Sequence, residues 1–324
     1  MSKHPQKRFD CITLGESMAL FAADAPGDLS QVSHYTRHIA GADSNVAIGL
    51  ARLGLNVAWL SRLGGDEIGK FVRQAIASEG VNCDYVSVHP QERTGLMFKT
   101  MSVDGSDPKV EFHRQGSAAS QLSVQDFPLA LLQQTRHIHL TGIMPALSDA
   151  CFALSLHVLT QAKACGVTTS FDPNLRPSLW GSTAHMQQGI HTLAALADWV
   201  LPGQGEAKTL TGLDDPEQIA DFYLQLGANH VVVKLGADGA FLKNSDGICL
   251  QQSAFQVDKI CDTVGAGDGF AVGIISAKLD GLGWQAALAR GAWIGAQQVQ
   301  VKGDVDGLPN RSQLRSQLPA YSLP

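Results

Sequence analysis

Short apolar runs alternate along the chain with longer stretches in which apolar residues recur at helical spacing. Residues 9–14, 57–61, 137–141, 168–172, 199–201 and 230–234 read as strands. Between them lie amphipathic segments. Val46, Leu50 and Leu53 fall at i, i+4 and i+7, and Val72, Ala75 and Ile76 fall at i, i+3 and i+4. Both spacings put the apolar side chains on one face of a helix. Repetition of strand, helix and strand predicts βαβ units, and so an α/β fold with a largely parallel sheet. Two insertions break the rhythm, at about 16–40 and 94–115. The first carries a Pro26-Gly27 turn signal. The second reads as two strands, 96–100 and 109–113, around a Val-Asp-Gly-Ser-Asp-Pro linker. Together they predict a small accessory sheet that acts as a lid.

Composition narrows the class. The 324 residues, 44% of them apolar, are enough for a large core, and residues 1–324 read as one domain. Only 17% are charged and the formal net charge is −6, with no basic cluster, which argues against nucleic acid as a partner. No run approaches the ~20 apolar residues that cross a membrane, and the first residues lack the apolar stretch of a signal peptide. The six cysteines form no CxxC pair, so buried reduced thiols and a cytoplasmic location are expected. His137 and His139 share a predicted strand and are expected to have packing or surface roles, since no His/Cys cluster suggests zinc.

The chemistry concentrates in the nine residues from Asp262 to Phe270, Asp-Thr-Val-Gly-Ala-Gly-Asp-Gly-Phe. Gly265, Ala266 and Gly267 are small residues at the mouth of an apolar helix expected from about 267 to 279. The first amides of a helix have no internal acceptors, and with the helix dipole they favour a phosphate. Asp268 in that first turn can accept a proton from a hydroxyl attacking a phosphoryl group. One segment thus supplies an anion hole and a general base. A near match to a P-loop, Gly64 to Phe71, fails because Phe71 stands where magnesium binding needs Ser or Thr. The first strand is followed by Gly15-Glu16-Ser17, with no GxGxxG dinucleotide fingerprint.

The Asp262 to Asp268 string resembles the C-terminal signature of the PfkB-type, ribokinase-like carbohydrate kinases. The run Ala40-Gly41-Ala-Asp43-Ser-Asn45-Val-Ala47, followed by Arg52-Leu53-Gly54, resembles their N-terminal signature, with Ala40 in place of a first glycine. Gly64-Gly-Asp66-Glu-Ile-Gly69 also matches, and the likeness runs from about Asp10 to Leu308. It implies a three-layer fold, a mostly parallel sheet flanked by helices with a β lid over the sugar.

The resemblance also implies roles. The turn Lys234-Leu-Gly236-Ala-Asp238-Gly239 would lie by ATP, together with Gly265 and Gly267. Glu206 would order Mg2+, although Gly203 stands where the family has asparagine. Asp262 would help form a site for a monovalent cation, K+. Gly41, Asn45, Met97, Phe112, Arg114 and Arg176 would hold the sugar beside Asp268, with Met97 and Phe112 where relatives carry tyrosines. Phe112 to Ser120 and His139 to Ser148 resemble the 2-keto-3-deoxygluconate kinases, and two arginines suit an acidic sugar. The expected activity is ATP-dependent phosphorylation of the terminal primary hydroxyl of a sugar acid such as 2-keto-3-deoxygluconate. A fructokinase or other neutral-sugar kinase, a nucleoside kinase, and a non-catalytic sugar sensor are the rivals. Exposed lid edges predict a homodimer.

Overall fold

The first apolar run forms β1 (Phe9–Leu14), a strand covered on both faces. Ile12 and Leu14 pack into one helical layer and Cys11 into the other, the two-residue period of a sandwiched strand. The computed structural model describes residues 7–101 and 108–321. After β1 come β2 (Met18–Ala23), β3 (Tyr35–Ala40), β4 (Val57–Gly64), β5 (Val86–His89), β6 (Leu96–Lys99) and β7 (Val110–His113). Then follow β8 (Thr135–Thr141), β9 (Thr168–Asp172), β10 (Trp199–Val200), β11 (His230–Lys234), β12 (Ala240–Asn244) and β13 (Cys249–Gln252). The helices are α1 (Ala42–Arg52), α2 (Glu67–Ser78), α3 (Ala130–Gln133), α4 (Asp149–Ala164) and α5 (Thr183–Ala194), then α6 (Gln204–Thr211), α7 (Pro216–Leu226), α8 (Ala266–Leu279), α9 (Trp284–Gln298) and α10 (Arg311–Gln317).

Nine strands make one sheet in the order β13-β12-β11-β10-β9-β8-β1-β4-β5. From β5 to β11 every neighbour is parallel, while β12 and β13 are antiparallel. Apolar residues of α3 to α7 cover one face, and those of α1, α2 and α8 to α10 cover the other. The expected strand–helix alternation is therefore present. The chain builds outward from β1 to β4 and β5, then returns to β8 on the other side and builds the opposite way. The crevice beyond the carboxyl ends of β1 and β8 is thus a switch point, where open α/β sheets gather ligands.

The two insertions meet in a second sheet, ordered β3-β2-β6-β7, with β2 and β6 parallel and the outer pairs antiparallel. The turn expected between β6 and β7 lies largely outside the described residues. The P-loop-like stretch is structural. Asp66 caps α2 by accepting from Gly69 N at 2.7 Å and also accepts from Thr94 N at 2.9 Å, which fixes the entry to β6. On the helical side, α8 and α9 touch backbone to backbone: a Cβ on Gly273 would lie 2.4 Å from Gly291 Cα.

The thiol expectation holds in part. Cys11, Cys83 and Cys151 are buried, but Cys165 and Cys249 are exposed and Cys261 is half-buried; all six are free. Cys165 ends α4 and Cys249 sits on the edge strand β13, so neither is covered by the core. Of the two roles open to His137 and His139, packing is the one found: both are buried, sharing the Ser170 hydroxyl. Burial pushes both imidazoles well below their usual pKa, so they stay neutral. Among the described residues no helix is long and apolar enough to cross a membrane.

Candidate active site

Helix α8 begins one residue before the sequence suggests, at Ala266, and Gly265 precedes it at φ 77°. That left-handed conformation favours glycine. A Cβ there would also lie 2.6 Å from the Asp304 carbonyl oxygen, so glycine is required twice over. Gly267 differs, for a Cβ on it would meet only Lys234 Nζ, at 3.4 Å. Its lack of a side chain leaves open space in front of the first helical amides, where an anion would sit.

Asp268 is the third residue of α8 and is 7% exposed. Asn45 on α1 donates from Nδ2 to its Oδ2 at 2.8 Å, and Asn174 Nδ2 lies 3.4 Å from its Oδ1. Asn174 holds φ 37°, the one non-glycine residue with positive φ among those described, in the loop after β9. Such strain is common where a side chain must be aimed at a ligand. Burial raises the Asp268 pKa to about 6; the Asn45 hydrogen bond opposes this, Asp172 and Asp304 add to it, and Lys234 opposes it. A carboxylate with that affinity for protons can serve as a base near neutral pH.

Two cavities meet at this point. One, of about 440 Å3, lies over Asp268 and under the small sheet, and Gly41, Asn45, Met97, Phe112, Arg114 and Arg176 all line it. The other, of about 640 Å3, is lined by Gly236 and Gly239 at one end and by Phe255, Val257, Ile260 and Val299 on an apolar wall. Lys234, Thr263 and Gly267 border both. Gly265 faces the first cavity and Ala266 the second, so the expected anion hole straddles the seam. Lys234 donates to Asp172 Oδ2 at 2.5 Å. Burial alone would lower its pKa, but the carboxylates of Asp172, Glu206 and Asp268 outweigh that, and the ammonium stays charged.

Four expected roles need correction. Arg114 reaches the first cavity, but its guanidinium is paired with the buried carboxylate of Glu16, which also accepts from Ser117. Its charge is therefore already neutralised inside the protein. Arg176 is different: it donates to the Leu175 carbonyl at 2.8 Å, and its charge acts on the buried Asp304 carboxylate without forming an ion pair with it. Asp238 points away from the expected role, being exposed and outside the cavity that its neighbours Ala237 and Gly239 line. Asp262 borders neither cavity and is paired with Lys99, which removes it from the metal-binding set. Glu206 lines the first cavity, but both its oxygens accept main-chain amides, from Leu175 at 2.7 Å and Gly203 at 2.9 Å. It caps α6 and braces the Asn174 loop, and its remaining lone pairs suit metal-bound water better than direct ligation.

Glu16, Lys99, Asp172, Asn174 and Asp304 belong to the site or its wall and carry no role in the sequence reading. Glu16, Asp172 and Asn174 follow the carboxyl ends of β1 and β9 or lie at them, a position that could have flagged them. Lys99 and Asp304 had no local signal. Asp43 is a further buried acid, held by the Thr141 amide and hydroxyl at 3.1 and 3.0 Å; burial raises its pKa well above the carboxylate range.

Comparison with known proteins agrees with this geometry. The chain is 48% identical over 316 residues to the 2-dehydro-3-deoxygluconokinase of Bacillus subtilis, covering 97% of this chain and 96% of that one. The solved PfkB protein of Polaromonas sp. JS666 superposes with a TM-score of 0.88 at 48% identity, covering 95% of this chain and 99% of that one. A fructokinase double mutant of Vibrio cholerae O395, solved with fructose, ADP and potassium ion, superposes with a TM-score of 0.83 at 26% identity, covering 96% and 99%. The family model for pfkB family carbohydrate kinases matches residues 8–311, and the chain belongs to that family.

Proposed function

We propose that this kinase transfers the γ-phosphoryl group of ATP to the terminal primary hydroxyl of 2-keto-3-deoxygluconate. The sugar acid occupies the cavity over Asp268 and ATP the apolar-walled cavity beside it. The observation that carries this reading is Arg176, a cation lining the sugar cavity that forms no ion pair with a carboxylate among the described residues, although the buried Asp304 on the same cavity wall acts on it from farther off. A neutral sugar would leave the guanidinium without a directly bonded acceptor pair, whereas a carboxylate takes it in a bidentate pair. Full-length likeness to a 2-dehydro-3-deoxygluconokinase supports the same substrate.

In this reading Asp268 accepts the hydroxyl proton while Asn45 and Asn174 fix its plane. Asn45 Oδ1 is buried without a protein partner and offers the sugar an acceptor. The amides of Gly265, Ala266 and Gly267 receive the charge that spreads over the transferred group, and Lys234 adds a positive charge at the seam. Magnesium, when bound, neutralises the nucleotide phosphates; Glu206 would hold its water. The small sheet serves as a lid that excludes water from the cavity. Among the described residues no strand pairs with the outer edges of β3 and β7, which would pair with a second copy in a homodimer. The reaction belongs to the cytoplasm, where ATP is found.

A substrate panel tests the reading. With ATP and magnesium, kcat/KM for 2-keto-3-deoxygluconate should exceed that for fructose by about 10²-fold or more, and Arg176→Gln should erase most of that ratio, the scale of a lost buried charge pair. Fructose turned over as well as the acid by the unaltered enzyme would overturn the acid assignment.

A further inference from the structure

Lys99 is the last residue of β6, in the small sheet, yet its ammonium reaches the segment that precedes the anion hole. It donates to Asp262 Oδ2 and lies 4.0 Å from Asp304 Oδ1. The three side chains are only 8%, 9% and 6% exposed. The other oxygen of Asp262 accepts from Val264 N at 3.0 Å, which shapes the turn into Gly265. Asp304 Oδ1 has no hydrogen-bond partner, and the Asp304 main-chain carbonyl is the one that backs Gly265. One ammonium thus joins the small sheet, the segment ahead of α8 and the loop after α9. Asp306, Arg176 and Asp268 are further charges that interact with Asp304.

Two buried carboxylates in one place need a cation. The family resemblance would put potassium at Asp262, and the V. cholerae fructokinase was solved with that ion. The donors here do not fit it. Asp262 Oδ2 already holds an ammonium, and a metal ion at that oxygen would face an unscreened like charge. We infer that the Lys99 ammonium is the resident cation of this loop, taking the place of a monovalent metal ion and positioning the anion hole, so that the enzyme works without potassium. Lys99 is a positioning residue, since it lines neither cavity itself and acts through Asp262 and Asp304. Because it is rooted in β6, the same contact ties the anion hole to the sheet above the sugar.

The test compares the unaltered enzyme, Lys99→Ala and Lys99→Arg in potassium chloride and in tetramethylammonium chloride at equal ionic strength. Melting temperature and kcat are both read. The unaltered enzyme should give the same values in the two salts. Lys99→Ala in tetramethylammonium should lose about tenfold or more in kcat and melt lower, and potassium should restore a large part of both, as expected for an ion that binds only the folded state. Lys99→Arg should stay close to the unaltered enzyme in either salt. Potassium activation or stabilisation of the unaltered enzyme would overturn the inference, and needs no variant to fold. So would a Lys99→Ala protein that responds equally to both salts. The inference uses the kinase assignment only for the kcat readout. Absence of turnover in both salts would count against that assignment, while the melting comparison would still decide the cation.

Discussion

Asp268 must remain ionised to act as a base, yet it lies in the interior among other carboxylates. Its pKa of about 6 expresses that conflict. For catalysis the consequence is an acid limb: kcat/KM for the sugar should fall about tenfold per pH unit below about pH 6, because the protonated form accepts nothing. For stability the sign is opposite to that of most acidic groups. The folded pKa lies above the unfolded value, so the folded state holds a proton that the unfolded chain has released between those two values. The contribution of Asp268 is therefore most favourable at low pH and is lost as pH rises through about 6. Asp268→Asn should cut kcat by about 10²-fold or more. Its melting temperature relative to the unaltered protein should rise between pH 4 and pH 8, even if other groups change the absolute values. Near-normal turnover, or a melting difference that is flat with pH, would remove Asp268 from the role given to it. Asp268 was legible as the candidate base because it stands three residues after Gly265 in a helix mouth. Its partners were not, since Asn45 is 223 positions away and nothing local pairs the two.

At the scale of elements, the start of α8 separates two uses of glycine that look alike in the sequence. Gly265 is needed by the backbone, with its φ of 77° and a carbonyl 2.6 Å from where a Cβ would be. Gly267 is needed by the ligand, because the space in front of it is open toward Lys234. Gly265→Ala should therefore lower stability by about 2 kcal/mol or more, combining a left-handed alanine with a steric clash, and show it as a lower melting temperature. Gly267→Ala should melt as the unaltered protein does but lose turnover, since its methyl group enters the phosphate space. Equal melting losses in the two would show that the second glycine is structural as well. Neither distinction could be read from Gly-Ala-Gly, which carries no information on which face of the turn meets protein. The strands show the same limit. The buried strands β1, β8, β9 and β11 were legible; β1 and β11 are mostly apolar, while β8 and β9 mix apolar residues with Thr, Ser and His that are buried all the same. β5, β12 and β13 went unread: they are short, and β5 and β13 form the sheet margins where polar residues mix in.

Across the whole molecule, the site exists because the chain reverses its direction of sheet building at β1 and β8, opening a crevice that both insertions then cover. Four contacts span it over long sequence distances: Asn45 to Asp268, Lys99 to Asp262, Arg114 to Glu16, and Lys234 to Asp172. Two of these four, Lys99 to Asp262 and Arg114 to Glu16, tie the small sheet to the segment ahead of α8 and to the end of β1, so its placement is coupled to theirs. Sequence reading found the two insertions but could not see this coupling, because isolated charges such as Lys99 look like solvated surface until their partners are placed. The coupling has a measurable result. Hydrogen exchange of the amides in β6 and β7 should slow when the sugar acid binds, since a closed lid protects its own strands. The effect should be much smaller in Arg114→Ala, where the carboxylate of Glu16 is left without its cation and the sheet loses its anchor to β1. ATP alone should protect the segment around Phe255 to Ile260 and leave β6 and β7 nearly unchanged, because none of the residues lining that cavity lies on the small sheet. Protection of β6 and β7 by nucleotide but not by sugar would mean that the sheet does not close over the cavity above Asp268, and that water is kept from the reaction by some other part of the chain.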